Sequence, residues 1–136
     1  MRRTAAYMFT DSEVTEIQAG DAVPFNNNGF VTGGIKHNEG SEKIHIFERG
    51  LYRVTYVVNT VEDTTFALTV NDRLVQSSLV TTAGGQKIIG QAVVQLERGD
   101  YLKVRNCGDV VVTLDTFAGG VERNVRASII VTLVDH

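Results

Sequence analysis

Few side chains in this chain of 136 residues have the type and spacing that chemistry requires. His37 and His45 have Glu39 and Glu42 between them, and imidazole and carboxylate groups together suit a divalent metal. The same pattern is typical of a solvated loop beside a strand, and this second interpretation is favoured. The single cysteine, Cys107, has no nearby histidine or motif, which predicts a small packing residue rather than a nucleophile.

Two acidic segments, Asp11-Ser12-Glu13 and Glu62-Asp63, fall in predicted loops, where calcium finds oxygen ligands. Neither has the spacing of an EF-hand, so solubility and turn formation are the favoured roles, and calcium stays open as the one cofactor considered. The sequence lacks the motifs of hydrolases, zinc proteases, phosphate-binding loops and dinucleotide-binding folds. We therefore predict no catalytic residue, no cofactor, no metal ligand and no enzymatic activity.

Charge and hydropathy restrict the partners of the chain. The formal net charge is −3 and the pI is near 5.5, which predicts no nucleic-acid partner. No stretch of about 18 apolar residues is present, so no membrane insertion is predicted. The N-terminal residues lack the apolar core of a secretory signal, so no signal peptide is predicted. The length fits a single domain spanning residues 1–136.

The elements that must position these residues are β-strands. Valine is the commonest residue, and 13 glycines accompany a single proline. Many β-branched residues punctuated by glycine indicate an all-β chain. Turn residues recur at a spacing of about 8–12 residues, which predicts about ten strands in a sandwich or barrel.

Some of these strands are apolar on both faces. Residues 51–58 and 125–134 carry apolar side chains on each side of the strand, whereas 87–96 has Gln91 and Gln95 opposite its apolar face. A sheet that is apolar on both faces in a water-soluble protein predicts an interface with other copies. One sheet is therefore expected to be buried twice and the other to be half solvated.

Aromatic and apolar residues of the predicted strands are expected in the core or at this interface. The set is Tyr52, Tyr56, Tyr101, Ile130, Val131 and Leu133. Tyr101 is expected to face the partner copies. Arg53, Lys103 and Arg105 are expected on the outward face of the same sheet, where they would need acidic partners across the interface or a place at its rim.

Several segments together are similar to a known superfamily. They are Ala6-Tyr7-Met8-Phe9, Val23-Pro24-Phe25-Asn26, Phe47 through Tyr56, Leu96-Glu97-Arg98-Gly99-Asp100 with Tyr101 and Leu102, and Ala127-Ser128-Ile129-Ile130-Val131. This order resembles the globular heads of the complement C1q-like and tumour-necrosis-factor-like superfamily. It most closely resembles the C-terminal domain of the collagen-like glycoprotein of the bacillary exosporium.

The resemblance implies a ten-stranded jelly-roll sandwich that forms a tight homotrimer. It also implies a non-enzymatic head that drives trimerisation and assembly of a surface or fibre protein, at the spore surface or in another extracellular place. No Gly-X-Y collagen tract precedes the domain in this sequence. A removed stalk, a stand-alone head and a different fibre are the alternatives.

The alternative function is a receptor-binding or carbohydrate-binding tip of a phage or bacterial fibre, with a carbohydrate or protein as ligand. Its site would lie in the loops between strands. The residues predicted for it are Asn26, Asn27, Asn28, His37, Asn38 and Thr82.

Overall fold

A computed structural model of the chain describes residues 3–11, 16–82, 87–114 and 125–136. These ranges contain thirteen strands and one 3-10 helix, Gln76–Ser78. The strands are β1 (Ala5–Thr10), β2 (Glu16–Ile17), β3 (Asn27–Thr32), β4 (Ile35–Lys36), β5 (Ile44–Ile46), β6 (Gly50–Asn59), β7 (Thr64–Val70), β8 (Arg73–Leu74), β9 (Val80–Thr82), β10 (Lys87–Leu96), β11 (Tyr101–Asn106), β12 (Val112–Thr113) and β13 (Ala127–Asp135). In this part of the chain no helix has the length and apolar character needed to cross a membrane.

The strands form two main antiparallel sheets. One has five strands in the order β10-β6-β13-β1-β3. The other has six strands, with β4-β5-β11-β7-β8 in order and β9 paired to β7. A small sheet joins β12 to β2. The predicted all-β jelly roll is confirmed, and the strand count exceeds ten because β2, β4, β8 and β12 have only two residues each.

The core lies between the two main sheets and follows from strand alternation. Every second side chain of β6 is buried, including Tyr52 and Tyr56, and Val131 of β13 joins them. The Tyr56 hydroxyl contacts the main-chain oxygens of Phe66, at 2.9 Å, and of Ser78, at 2.6 Å. Burial raises the pKa of the Tyr56 phenol, so this group stays a neutral donor that links the two sheets.

Asn106, at the end of β11, is a fully buried amide whose polar atoms are all bonded. Its Nδ2 donates to three main-chain carbonyls, those of Ile17, Gln18 and Val110. Its Oδ1 accepts from the Thr64 hydroxyl at 3.1 Å and from the Gly108 amide at 3.0 Å. One side chain therefore holds the small sheet and the loop after β11 against β7.

Replacing Asn106 with alanine is expected to lower the free energy of unfolding by about 2–4 kcal/mol, because buried carbonyls and a hydroxyl would lose their partners. Urea denaturation followed by circular dichroism measures this change. Asn38→Ala, at an exposed loop position, is the control and is expected to change stability by less than about 0.5 kcal/mol. Equal stability of the two variants would contradict the role given to Asn106.

Candidate assembly interface

The outer side of the five-stranded sheet carries a continuous row of residues across all five strands. Residues paired in antiparallel register point to the same side of a sheet. One row consists of Phe30, Tyr7, Ile130, Thr55 and Gln91. The next row consists of Asn27, Phe9, Ser128, Val57 and Ile89. A third row places Val93 beside Arg53 on this side.

We call this surface the apolar face and define it by Tyr7, Phe9, Phe30, Val57, Ile89, Val93 and Ile130. Its side chains remain accessible in the isolated chain: Ile89 is 57% exposed, Val93 54%, Phe30 49% and Ile130 45%. The rings of Tyr7 and Phe9 stack with centroids 5.6 Å apart. Isolated exposed apolar residues are ordinary, but a contiguous patch on one side of a sheet marks an interaction site.

The outer side of the six-stranded sheet differs because it carries a cluster of bonded polar groups around Lys103. The Lys103 ammonium lies 2.8 Å from an Asp72 carboxylate oxygen and 3.5 Å from Glu42. The Tyr101 hydroxyl donates to Asp72 at 2.6 Å. Bonding to Lys103 holds the pKa of Asp72 below its usual range, and bonding to Asp72 raises that of Lys103. The charged groups of this cluster suit a surface that is in contact with water.

The placement of Tyr101, Lys103 and Arg105 beside Arg53 was wrong, because these three residues lie on β11 in the six-stranded sheet. The strands that adjoin β6 are β10 and β13. Both strands alternate in polarity, so the local pattern does not identify the pairing partner. The one-sided burial expected for β10 agrees with the structure, since Ala92 and Leu96 are buried and the glutamines opposite them are exposed. Ile89 and Val93 lie on the same exposed side as the glutamines and add apolar surface to it.

Of the residues predicted for the core or the interface, Tyr52 and Tyr56 lie in the core on β6. The other three lie on β13, where neighbouring side chains point to opposite sides. Ile130 belongs to the apolar face, while Val131 is fully buried in the core. Leu133 is partly buried and packs against the core cluster. The residues that the sequence did not single out for the interface include Phe30, Ile89 and Val93. The alternation of apolar residues along each strand would have identified these three residues if the register between strands had been known.

Three of the asparagines predicted to bind a ligand have amides that bond within the protein: Asn26, Asn27 and Asn28. Asn26 Nδ2 donates to Asp11 at 3.1 Å, and Asn27 Nδ2 donates to the same carboxylate at 3.3 Å. Asn28 Nδ2 donates to the main-chain oxygen of His37 at 2.9 Å. Asn38 is exposed in the adjoining loop, whereas Thr82 lies apart on β9. The structure therefore does not bring all six predicted residues into one site.

His37 is buried, and both of its ring nitrogens lie against oxygen acceptors. Nδ1 is 2.5 Å from Asn28 Oδ1, and Nε2 is 2.7 Å from the main-chain oxygen of Ser41. Burial lowers the pKa of His37, and the Ser41 contact opposes that effect. The ring thus ties the loop before β5 to the start of β3, and neither nitrogen is directed at an open position.

The acidic loop residues also have partners. The Glu62 carboxylate accepts from the Thr113 amide at 2.7 Å and from its hydroxyl at 2.8 Å. Ser12 and Glu13 lie outside the described residues. Among the residues that are described, no group of three or more histidine, cysteine or acidic side chains is arranged to hold a metal ion. Burial raises the pKa of the Cys107 thiol, which favours its protonated form.

A cleft of about 550 Å³ lies between the end of β13 and the residues that precede β1. Glu48 and Asp135 both line this cleft. The Glu48 carboxylate accepts from the Thr4 hydroxyl and lies 2.8 Å from the His136 ring. The Thr4 bond is the main cause that lowers the pKa of Glu48. An ionised carboxylate already occupied by two donors is poorly suited to act as a general acid.

The antiparallel jelly roll is similar in fold to the C1q-like and tumour-necrosis-factor-like heads. The globular domain of zebrafish complement 1qA superposes with a TM-score of 0.67 at 14% identity, covering 97% of each chain. GITRL from pika gives 0.61 at 14% identity over 98% of each chain. Rabbit GITRL gives 0.52 at 13% identity, covering 89% of this chain and 94% of that one.

The chain belongs to the BclA C-terminal domain family, whose model matches residues 5–132. The resemblance predicted from the sequence is confirmed at this level. No curated protein matches the sequence. The structural neighbours are similar in fold alone, because their identities are so low.

Proposed function

We propose that this domain is a non-enzymatic head that assembles as a homotrimer through the apolar face. Trimerisation of the head would bring together the three chains of a surface or fibre protein. The observation that carries the proposal is the apolar face itself, which is continuous across five strands and exposed in a single copy. Homologous domains form homotrimers, and the matched families are structural or signalling domains rather than enzymes.

Burial of this face supplies the driving force for assembly. Completing the burial of a half-exposed isoleucine or phenylalanine contributes roughly 1 kcal/mol. Several such side chains lie together on the face, so one contact between two copies would bury several of them and add their free energies. A closed ring of three copies uses a contact between unlike parts of the surface and leaves no free end. The ring therefore hides the face in every copy.

Arg53 is the charged residue within the rows of this face, and it makes no ion pair inside the described ranges. A charge that is buried without a partner opposes association strongly. In the trimer Arg53 would therefore pair with an acidic group of a neighbouring copy or lie at the rim of the contact. This requirement favours one arrangement of the three copies over others.

We place the head on the spore exosporium or another extracellular surface. The support is family membership, since BclA is an exosporium surface protein. A trimeric head would present three copies of any ligand site, so that weak contacts add through multivalency. The role in exosporium assembly can be tested by deleting the domain and examining whether the protein still reaches the spore surface.

The oligomeric state provides the direct test of the proposal. Sedimentation equilibrium or native mass spectrometry at micromolar concentration is expected to give three times the chain mass of 14.9 kDa. The expected species persists on dilution into the low micromolar range. A monomer or a dimer under these conditions would contradict assembly as a trimer.

A further inference from the structure

A row of aromatic and basic side chains crosses the outer side of the six-stranded sheet. Lys36 of β4 pairs in register with His45 of β5, and His45 pairs with Tyr101 of β11. The rings of His45 and Tyr101 have centroids 6.3 Å apart. Phe47 follows β5 and is exposed. With Lys43, these residues form what we call the lysine–aromatic row.

Two ammonium groups of this row lie near aromatic rings, and Lys43 is also close enough to Asp72 to help lower the pKa of that carboxyl. Lys36 Nζ is 5.3 Å from the Phe47 centroid, and Lys43 Nζ is 4.8 Å from the Tyr101 centroid. Neither lysine forms a salt bridge with any residue that the structure describes. Exposed cation–π contacts are weak, so both groups remain available to an anion.

Tyr101 is held in place independently of these lysines. Its hydroxyl donates to Asp72, and its main-chain amide donates to Asn71 Oδ1 at 3.0 Å. Lys103, whose charge is matched by Asp72 and Glu42, also lies near the ring at 5.6 Å. A ring fixed before binding loses little conformational entropy when a ligand stacks on it.

We propose that Lys36, Lys43, His45, Phe47 and Tyr101 bind an acidic polysaccharide, a sugar chain that carries carboxylates. The Phe47 ring is exposed and the His45 and Tyr101 rings are partly exposed, so all three offer apolar surface on which the C–H faces of sugars stack. The two ammonium groups that form no salt bridge complement carboxylates on the same chain. An extended polymer suits a shallow row that runs across three strands, spaced about 4.8 Å apart, better than a compact ligand does.

An acidic peptide fits this surface less well. Peptides that bind to sheets gain affinity by pairing their main chain with an open strand edge. Here β5 lies between β4 and β11, and β11 lies between β5 and β7, so the strands that carry His45 and Tyr101 have neighbours on both sides. A ligand on these two strands must therefore bind to side chains on the sheet surface, which is how a sugar chain would bind.

The lysine–aromatic row lies on the sheet opposite the apolar face, so trimer assembly would leave it open. The site itself exists within one copy. The proposed trimer matters only for the additional affinity that three sites gain when they bind the same polymer. Assembly and sugar binding can therefore succeed or fail separately.

The test measures binding of polygalacturonate and neutral dextran to the whole chain by isothermal titration calorimetry at low salt. Polygalacturonate is expected to bind and dextran is not. The double substitution Lys36→Gln with Lys43→Gln is expected to weaken binding at least tenfold. Arg73→Gln with Arg98→Gln removes the same charge from exposed positions outside the row and is expected to leave binding unchanged.

Tyr101→Ala tests the contribution of stacking and is expected to weaken binding while the lysines remain. Equal loss in the two double variants would show attraction to net charge only and would overturn the site. Tighter binding of polyglutamate than of polygalacturonate would overturn the sugar assignment. Sedimentation of the same samples separates the proposals: a trimer that ignores polygalacturonate contradicts this inference alone, and a monomer that binds it contradicts the proposed trimer alone.

Discussion

Replacing Ile130 with aspartate is expected to give a folded monomer at concentrations where the unaltered chain is trimeric. Ile130 lies at the centre of the apolar face and is accessible in a single copy. A carboxylate there stays hydrated in the monomer, so the fold keeps its stability. In the trimer each copy would bury an unpaired charge, at a cost of several kcal/mol per site. Sedimentation equilibrium reports the mass, and circular dichroism reports the fold.

The next residue supplies the matched comparison. Val131 is fully buried on the opposite side of β13, so Val131→Asp is expected to destroy the fold and the trimer together. Leu133→Asp, at a partly buried position, is also expected to disrupt both. A stable trimer formed by the Ile130→Asp variant would contradict assembly through the apolar face. Unfolding of that variant would show instead that Ile130 supports the core.

Replacing Gly90 with alanine is expected to lower the free energy of unfolding by about 3 kcal/mol. A Cβ atom added at Gly90 would overlap the ring of Tyr56. That ring cannot move away easily, because it is buried and its hydroxyl is bonded to main-chain oxygens of the other sheet and the 3-10 helix. The backbone of β10 would have to shift, which would also disturb its pairing with β6.

Urea denaturation measures this effect, with Gln91→Ala as the neighbouring control. Gln91 points to the outer side of the same strand, where truncation leaves no clash, and a change within about 0.5 kcal/mol is expected. A Gly90→Ala variant as stable as the control would mean that Tyr56 adapts without cost. Its role as a fixed link between the two sheets would then have to be abandoned.

Local patterns were sufficient to predict the all-β fold and the two faces of β13, because side-chain direction alternates with a period of two residues. They were not sufficient to assign β10 and β11 to their sheets. Both strands alternate, and the choice between them depends on contacts far apart in the chain. Tyr101 was therefore expected at the interface, although it lies on the opposite sheet.

The sequence was sufficient to predict that an apolar interface exists, but it identified only some of the residues that form it. Ile130 was expected there, whereas Ile89 and Val93 were overlooked because the glutamines on the same side of β10 gave it a polar character. The asparagines near His37 looked free to bind a ligand. Their amides are bonded within the protein, and a sequence does not distinguish a bonded amide from a free one.

The alternation in β13 also limits how heads of this kind can diverge. Odd and even positions between Ala127 and Thr132 point to opposite sides of the sheet, so inserting or deleting one residue there would exchange core and contact surfaces along the remaining strand. Point substitutions change one surface at a time and leave the other intact. Related heads are therefore expected to differ in length between strands, while the parity of β6 and β13 stays constant across lineages.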